Sequence, residues 1–318
     1  LRATRWCRWV LADGDRPCGR VAAFAPAARP EVGYFGFFEC PDDAGIARAL
    51  LGAAEAWLAG LGRREVYGPV AVTPRDRIGL LIEGFERPAL LFTPYNPPYY
   101  ARLLESAGYT PAHYLRAYGW QPGYRDDRGV VPLAERVAAR AAVRVRTLDP
   151  ARLGEETRLV VQLVNQTLAG AWHFEPISES EAARLAALLG PVLDPSIALV
   201  AEDHEGPCAV FLAIPDVWWL WRRAGGALWP FGWARLLQWR RRIPQARVMA
   251  LGALPRARRT GTVAQLIGRL DQAGRARGYR YGELSQVYED NHAMRRVLDR
   301  MRLPVVRRYA VYARRLEA

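Results

Sequence analysis

Residues 254–266 read LPRARRTGTVAQL and place Arg256, Arg258 and Arg259 beside Thr260, Gly261 and Thr262. The preceding run, RVMALGALP, is strand-like, and the following run, VAQLIGRLDQAGRARG, has the apolar spacing of a helix. A helix start exposes unpaired amides and carries about half a positive charge, so it holds a phosphate well. Gly261 lets a ligand approach the backbone closely, and the arginines add charge. The turn is therefore a candidate phosphate cradle, and the plain alternative is an Arg-capped surface turn.

Other residue types narrow the chemistry. The 45 residues of the Lys plus Arg count are all Arg, so Schiff-base and covalent pyridoxal chemistry is excluded. Cys7, Cys18, Cys40 and Cys208 form no CxxC pair, and His113, His173, His204 and His292 are scattered. Neither a disulfide framework nor a metal site is expected, and a reducing cytoplasm fits. The formal charge of +13 invites an anionic partner: nucleic acid, a membrane surface or a phosphorylated cofactor. The abundance of Ala, Gly and Arg also reads as the mark of a GC-rich genome.

DVWWLWRRAGGALWPFGWARLLQWRRRIP interleaves Trp218, Trp219, Trp221, Trp229, Trp233 and Trp239 with arginines. A lid over an acceptor site, an aromatic–Arg surface for nucleic acid and a membrane-surface helix all fit this stretch. Its place just before RVMALGALP favours the lid. AWHFEPISESE offers Trp172, His173, Phe174 and Glu175, with Trp233, as residues to touch an acceptor.

The elements that must position these residues occur twice. Residues 33–62 and 249–278 both run strand, turn, helix and closing Gly, at a constant offset that puts Gly36 on Gly252 and Gly45 on Gly261. Asn96 and Asn291 then each open a helix, a turn and a Tyr-bearing strand, and Asn in that place caps exposed amides. VRVRTL reads as a strand, ARLGEETRLVVQLVNQTLAG as a helix, and IALVAEDHEGPCAVFLAI as a hairpin turning at Glu205–Gly206–Pro207. The first half shows only the counterpart hairpin, WCRWVLADGDRPCGRVAAF. Its opening strand and helix are expected upstream of Leu1, which is not a Met. The expected domains are residues 1–125 and 143–318, with a Pro-, Gly- and charge-rich linker at 126–142. No apolar run approaches the roughly 20 residues of a membrane span, nothing reads as a signal peptide, and no stable membrane insertion is expected.

This order of elements resembles the GNAT acyltransferase superfamily, over nearly the whole chain and in two tandem copies. GYFGFFEC, TPYNPPYY, WPFGWARLLQWRRRIPQAR and GELSQVYEDNHAMRRVLDRM, with AWHFEPISESE, resemble bacterial proteins with duplicated GNAT domains. The implied fold class is α/β (α+β), each domain a mixed, mostly antiparallel twisted sheet flanked by helices. The family turn, Gln/Arg-x-x-Gly-x-Gly/Ala, is met by Arg258 through Val263, with Val263 in place of the last small residue. The resemblance implies that this turn and Leu251, Gly252, Ala253 and Leu254, with Asn291, bind an acyl-CoA, and that a backbone amide of the strand polarises the thioester. In the first copy the turn reads Asp42-Asp43-Ala44-Gly45, whose carboxylates would repel a pyrophosphate, so one cofactor site is expected.

The family's base is a carboxylate, and Glu283 is the candidate, with Glu289 and Asp290 behind it. The family's proton-donating Tyr falls on Leu298 here; Tyr288 or Ser285 are the substitutes in reach, while Tyr309 and Tyr312 read as packing residues. The expected activity is N-acylation of a small amine, amino acid or biosynthetic intermediate from acetyl-CoA or another acyl-CoA. A Fem-like transferase using aminoacyl-tRNA and a non-catalytic GNAT pair are the alternatives.

Overall fold

The computed structural model describes residues 4–71, 77–122, 143–225, 243–258 and 260–316. The chain packs as two compact units that do not follow chain order. The first takes the chain up to Arg116 together with Tyr288–Asp290 and the segment from Val306; the second takes Ala117–Val287 and Asn291–Val305. Residues 306–315 of the expected second domain thus pack in the first unit. The expected linker, residues 126–142, lies outside the described residues.

In the first unit, strands β1 (Thr4–Asp13), β2 (Arg16–Pro26) and β3 (Val32–Glu39) form an antiparallel meander. Helix α1 (Ala44–Gly60) crosses over to β4 (Glu65–Gly68), which pairs parallel to β3. Such a crossover is what a parallel pair requires. The last strand of the chain, β12 (Val305–Arg315), then pairs antiparallel with both β4 and β5 (Leu80–Glu83). Leu50, Leu51, Ala54 and Leu58 form the buried stripe of α1 and pack on Phe35 and Tyr109 at helical spacing. Helix α2 (Tyr100–Ser106) covers the same core, and β6 (Thr110–Trp120) follows it.

Asn96 does not cap α2 as its counterpart's spelling suggests. The helix starts at Tyr100 without a side-chain cap. Two prolines follow Asn96 and hold the chain out of helix. The buried Asn96 side chain instead accepts from Leu81 N–H at 2.8 Å and donates to Leu81 C=O at 3.2 Å, clamping β5.

In the second unit, β7 (Arg144–Thr147), β8 (Ala198–Asp203), β9 (Gly206–Pro215) and β10 (Gln245–Ala253) pair antiparallel in that order. The β8–β9 turn falls at His204–Glu205, one residue earlier than the Gly-Pro spelling suggests, because Gly206 with its positive φ already pairs with Asp203. Helices α3 (Leu153–Thr167) and α4 (Glu179–Leu189) lie between β7 and β8, and α5 (Val217–Arg223) follows β9. α6 (Thr262–Ala276) carries the chain from β10 to β11 (Tyr281–Tyr288), parallel to β10, and α7 (His292–Arg300) follows. One core packs α6 on β8–β10 through Leu266, Ile267 and Phe211. Another packs α3 through Val160, Leu163 and Val164.

Candidate functional site

The parallel strands β10 and β11 pair only from Gln245/Tyr281 to Val248/Leu284. Both run on, β10 to Ala253 and β11 to Tyr288, with no further pairing between them. β10 has a register irregularity against β9 at Val248/Ala250, where the separation begins. The result is a V-shaped gap with its apex at Val248 and Leu284. Leu254 N–H donates to Cys208 C=O at 2.8 Å. Successive residues of a strand direct their backbone groups to alternate sides, so Leu254 and Gly252 face β9, while Leu251 and Ala253 offer their amides to the gap. Of the four strand residues expected at a cofactor, these two have the backbone to polarise a carbonyl there.

Gly252 has a different role. A Cβ on it would lie 2.2 Å from Thr167 Oγ1, so only glycine lets the end of α3 lie this close to the strand.

Beyond β10 the chain reaches the turn that carries Gly261. Gly261 sits in the left-handed region at φ 75° and precedes α6 as its N-cap, where it has no side chain to cap the first-turn amides. Thr260 and Thr262 share a hydroxyl–hydroxyl bond of 2.6 Å, and Arg258 Nε donates to Ala253 C=O at 3.0 Å, at the mouth of the V. Val263 is half-buried and packs against the core beneath the helix. Arg256 is committed elsewhere: its guanidinium bonds Asp203 at 2.8 Å and Pro207 C=O at 3.2 Å. Arg259 lies outside the described residues.

The first unit differs at both places. Asp43 caps α1 itself, accepting from Gly45 N–H at 2.7 Å and Ile46 N–H at 3.0 Å. Val70 N–H donates to Phe35 C=O at 2.8 Å, and a Cβ on Gly36 would lie 1.8 Å from Val70 O. The gap beside that strand is filled by backbone.

Register sorts the side chains around the V. Arg247 and Glu283 are partners and share one face; Ala246, Val248, Gly282 and Leu284 share the other. Glu283 is fully buried and accepts from the Tyr281 hydroxyl at 3.1 Å. Arg247, also buried, donates to Ser285 Oγ at 3.1 Å and to Ser285 C=O at 3.2 Å. Glu283 and Ser285 therefore sit together, with Tyr281 and Arg247 as partners that sequence reasoning missed. Their signals were present: a Tyr two residues before Glu283 on one strand face, and one Arg inside an apolar strand.

Tyr288 belongs to the first unit, where burial, with Asp290 and Tyr34 adding to it, raises its hydroxyl well above the phenol range. Glu289 is paired with Arg116 at 2.7 Å and Arg308 at 3.5 Å. Asn291 caps α7, accepting from Met294 N–H at 3.1 Å. Leu298 is fully buried against Tyr118 and Val287. Tyr309 and Tyr312 are buried packing residues, as their strand position suggests; Tyr312 joins the first core, and its hydroxyl donates to Glu105 at 3.1 Å.

Trp172 and His173 stack at 4.0 Å and 19°, and Phe174 packs on the α3 core. Asn165 pins this loop to α3 by accepting from Ile177 N–H at 2.8 Å and donating to its C=O at 3.0 Å. Glu175 lies in the same loop, half-buried. In the Trp–Arg segment, Arg222 pairs with the buried Asp216 and Arg223 lies over the Trp219 ring at 5.0 Å. Trp233 and the rest of that segment, residues 226–242, lie outside the described residues. Among the described residues no group of His, Cys, Asp or Glu is placed to hold a metal, and no helix is long and apolar enough to cross a membrane.

The architecture is that of a tandem GNAT protein. A tandem GNAT protein from the clavulanic acid biosynthesis pathway superposes with a TM-score of 0.60 at 16% identity, over 99% of this chain and 84% of that one. A GCN5-related N-acetyltransferase from Sphaerobacter thermophilus superposes at 0.55 and 13%, over 97% and 80%. No model of a known protein family matches the chain. Protein YghO of Escherichia coli is 30% identical over 325 aligned positions, 98% of this chain and 82% of its own length, and the chain belongs to its family. Bacterial ceramide synthase of Caulobacter vibrioides is 29% identical, over 97% of this chain and 83% of its own length.

Proposed function

We propose that the chain is an acyl-CoA-dependent N-acyltransferase with one donor site, in its second unit. The observation that carries this reading is the V between β10 and β11, which ends at the uncapped start of α6. Gly261, Thr260, Thr262 and Arg258 are the residues that would hold the pyrophosphate, with Arg256 tied to Asp203 and a lesser partner. The bound donor supplies a thioester. The Leu251 or Ala253 amide would polarise its carbonyl, an arrangement that acts where charge develops in the transition state.

Glu283 is the proposed general base for the incoming ammonium, held by the Tyr281 hydroxyl. Arg247, bonded to Ser285 on the same face, is positioned to balance the carboxylate. The acceptor amine would enter from that face. The relative named Bacterial ceramide synthase favours an amphiphilic amino alcohol as acceptor over a free amino acid, since ceramide is the N-acyl product of such an amine. Asp43 on α1 and the backbone filling beside Gly36 favour a first unit that binds no donor.

Calorimetry with coenzyme A and acetyl-CoA tests the reading, on the natural chain and on the double variant Arg258→Glu/Gly261→Glu. Micromolar binding that the double variant loses is expected. No binding by the natural chain would overturn the reading. The charge of +13 then makes aminoacyl-tRNA the second donor to try, with strongly salt-dependent binding as its mark.

A further inference from the structure

On the face of β10 and β11 opposite Arg247 and Glu283 lies a cavity of about 340 Å³, wholly within the second unit. Its walls are almost entirely apolar and include Phe211, Val248, Ile267, Leu270, Leu284 and Leu298. One end lies at the apex of the V, where Val248 and Leu284 make the last pair. Leu298 stands beside that end, at the position where the family pattern has its hydroxyl, and it makes the place apolar.

Trp120 lines the other end. Its indole lies between two glycines: a Cβ on Gly274 would come 3.3 Å from Trp120 Cη2, and one on Gly282 3.3 Å from Cε3. Trp120 Nε1 donates to Asp271 Oδ1 at 2.7 Å, and Asp271 is itself held by Arg275 at 2.8 Å. The ring is thus packed on two sides and tethered at its one polar atom. Gly274 lies twelve residues along α6 from Thr262, about 18 Å at 1.5 Å per residue. Trp120 is therefore at the end of the cavity remote from the cradle.

An apolar chamber of this size is costly to leave to water and suits a flexible hydrocarbon. At roughly 30 Å³ for a group about the size of water, it holds on the order of ten methylenes. We propose that this cavity is the subsite for the acyl chain of the donor and that Trp120, set by Gly274, Gly282 and Asp271, fixes the chain length. The proposal rests on the donor reading above and names the donor's class: an acyl group of medium or greater length, threaded from the apex to the α6 face while the amine approaches from the Glu283 face. An acetyl group would leave the chamber unfilled.

The test uses two ladders of saturated chains, octanoyl to stearoyl, as free fatty acids and as coenzyme A thioesters. Binding of both is measured by calorimetry on the natural chain, Trp120→Ala, Trp120→Phe and Gly274→Leu. The natural chain is expected to show an optimum length and at least tenfold weaker binding of the shortest acid. Trp120→Ala moves the optimum up by about four carbons, given the group volume above. Gly274→Leu, which drives the ring or its own side chain into the chamber, moves it down; Trp120→Phe gives a smaller upward shift and covers the case in which the alanine variant does not fold. Equal profiles in all folded variants, or no binding of any fatty acid, would overturn the proposal. Thioester binding without dependence on these substitutions leaves the donor reading standing and removes the chain subsite. A fatty-acid profile that follows Trp120 with no affinity for coenzyme A does the reverse.

Discussion

Asp194 gives the sharpest test of how the second unit is held together. Its carboxylate accepts from Ser196 N–H at 3.1 Å and Ser196 Oγ at 2.7 Å through one oxygen. The other oxygen accepts from the Tyr279 hydroxyl at 2.9 Å and Arg277 Nε at 3.1 Å. Burial works to raise this carboxyl, but the bonds from Ser196 and Tyr279 and the Arg277 charge outweigh it, and its pKa lies below the ordinary value. Asp194→Asn keeps an acceptor for Ser196 and replaces the other oxygen by an amide that cannot accept. Hydrogen bonds to a charged group contribute about 1.5–3 kcal/mol each, and the Tyr279 hydroxyl, which can then only accept from the new amide, leaves a buried donor unpaired at a cost of about 1–3 kcal/mol. Arg277 is half exposed and can rehydrate, so the Tyr279 loss dominates, and the expected destabilisation at neutral pH is about 2–4 kcal/mol.

The pH dependence has a definite sign. A carboxyl whose folded pKa is depressed contributes stability that is present above its unfolded pKa, near 3.9. That contribution is lost as pH falls through the lower folded value. The gap between natural chain and variant should be full at neutral pH and shrink below about pH 4. Urea denaturation of the second unit at several pH values reads it directly. A gap that stays constant from neutral to acidic pH, or that is under about 0.5 kcal/mol throughout, refutes the assignment of Asp194 as an ionised hub.

Two further outcomes follow from single side chains. Asn96→Ala leaves the fully buried Leu81 with unpaired backbone groups and should destabilise the first unit by about 2–4 kcal/mol in urea melts; a change within about 0.5 kcal/mol would show that the clamp is not needed. Tyr281→Phe removes the hydroxyl that holds Glu283 and should lower the transfer rate about tenfold while donor binding, read by calorimetry, is unchanged. An unchanged rate would place the base elsewhere.

Local spelling made much of this legible. The cradle turn needs only a left-handed glycine between a strand and a helix, and Gly261 supplies it. Asn291 caps its helix because nothing after it prevents the helix from starting. Asn96 carries the same letter before the equivalent helix, yet two prolines delay that helix and free the amide for Leu81. The Arg247–Ser285 bond needed the parallel register of two strands separated by a whole helix, which no local pattern reports. The cavity was illegible for a related reason. It depends on Trp120 meeting Gly274 and Gly282, residues more than 150 positions further along the chain. The destination of β12 was equally hidden, since an alternating Tyr-bearing strand says that it pairs but not with which partner.

That destination governs the order in which the protein can be made. The larger part of the first unit leaves the ribosome before the second, and domains usually fold in order of synthesis. Here β4 and β5 take their shared partner from residues 305–315, over 220 positions later. Until those residues emerge the first unit exposes two short strand edges, although the whole of the second unit's sheet has already been made. The half that appears to come first is the last to be finished, and any ribosome that stalls before residue 305 leaves both strand edges open to other chains.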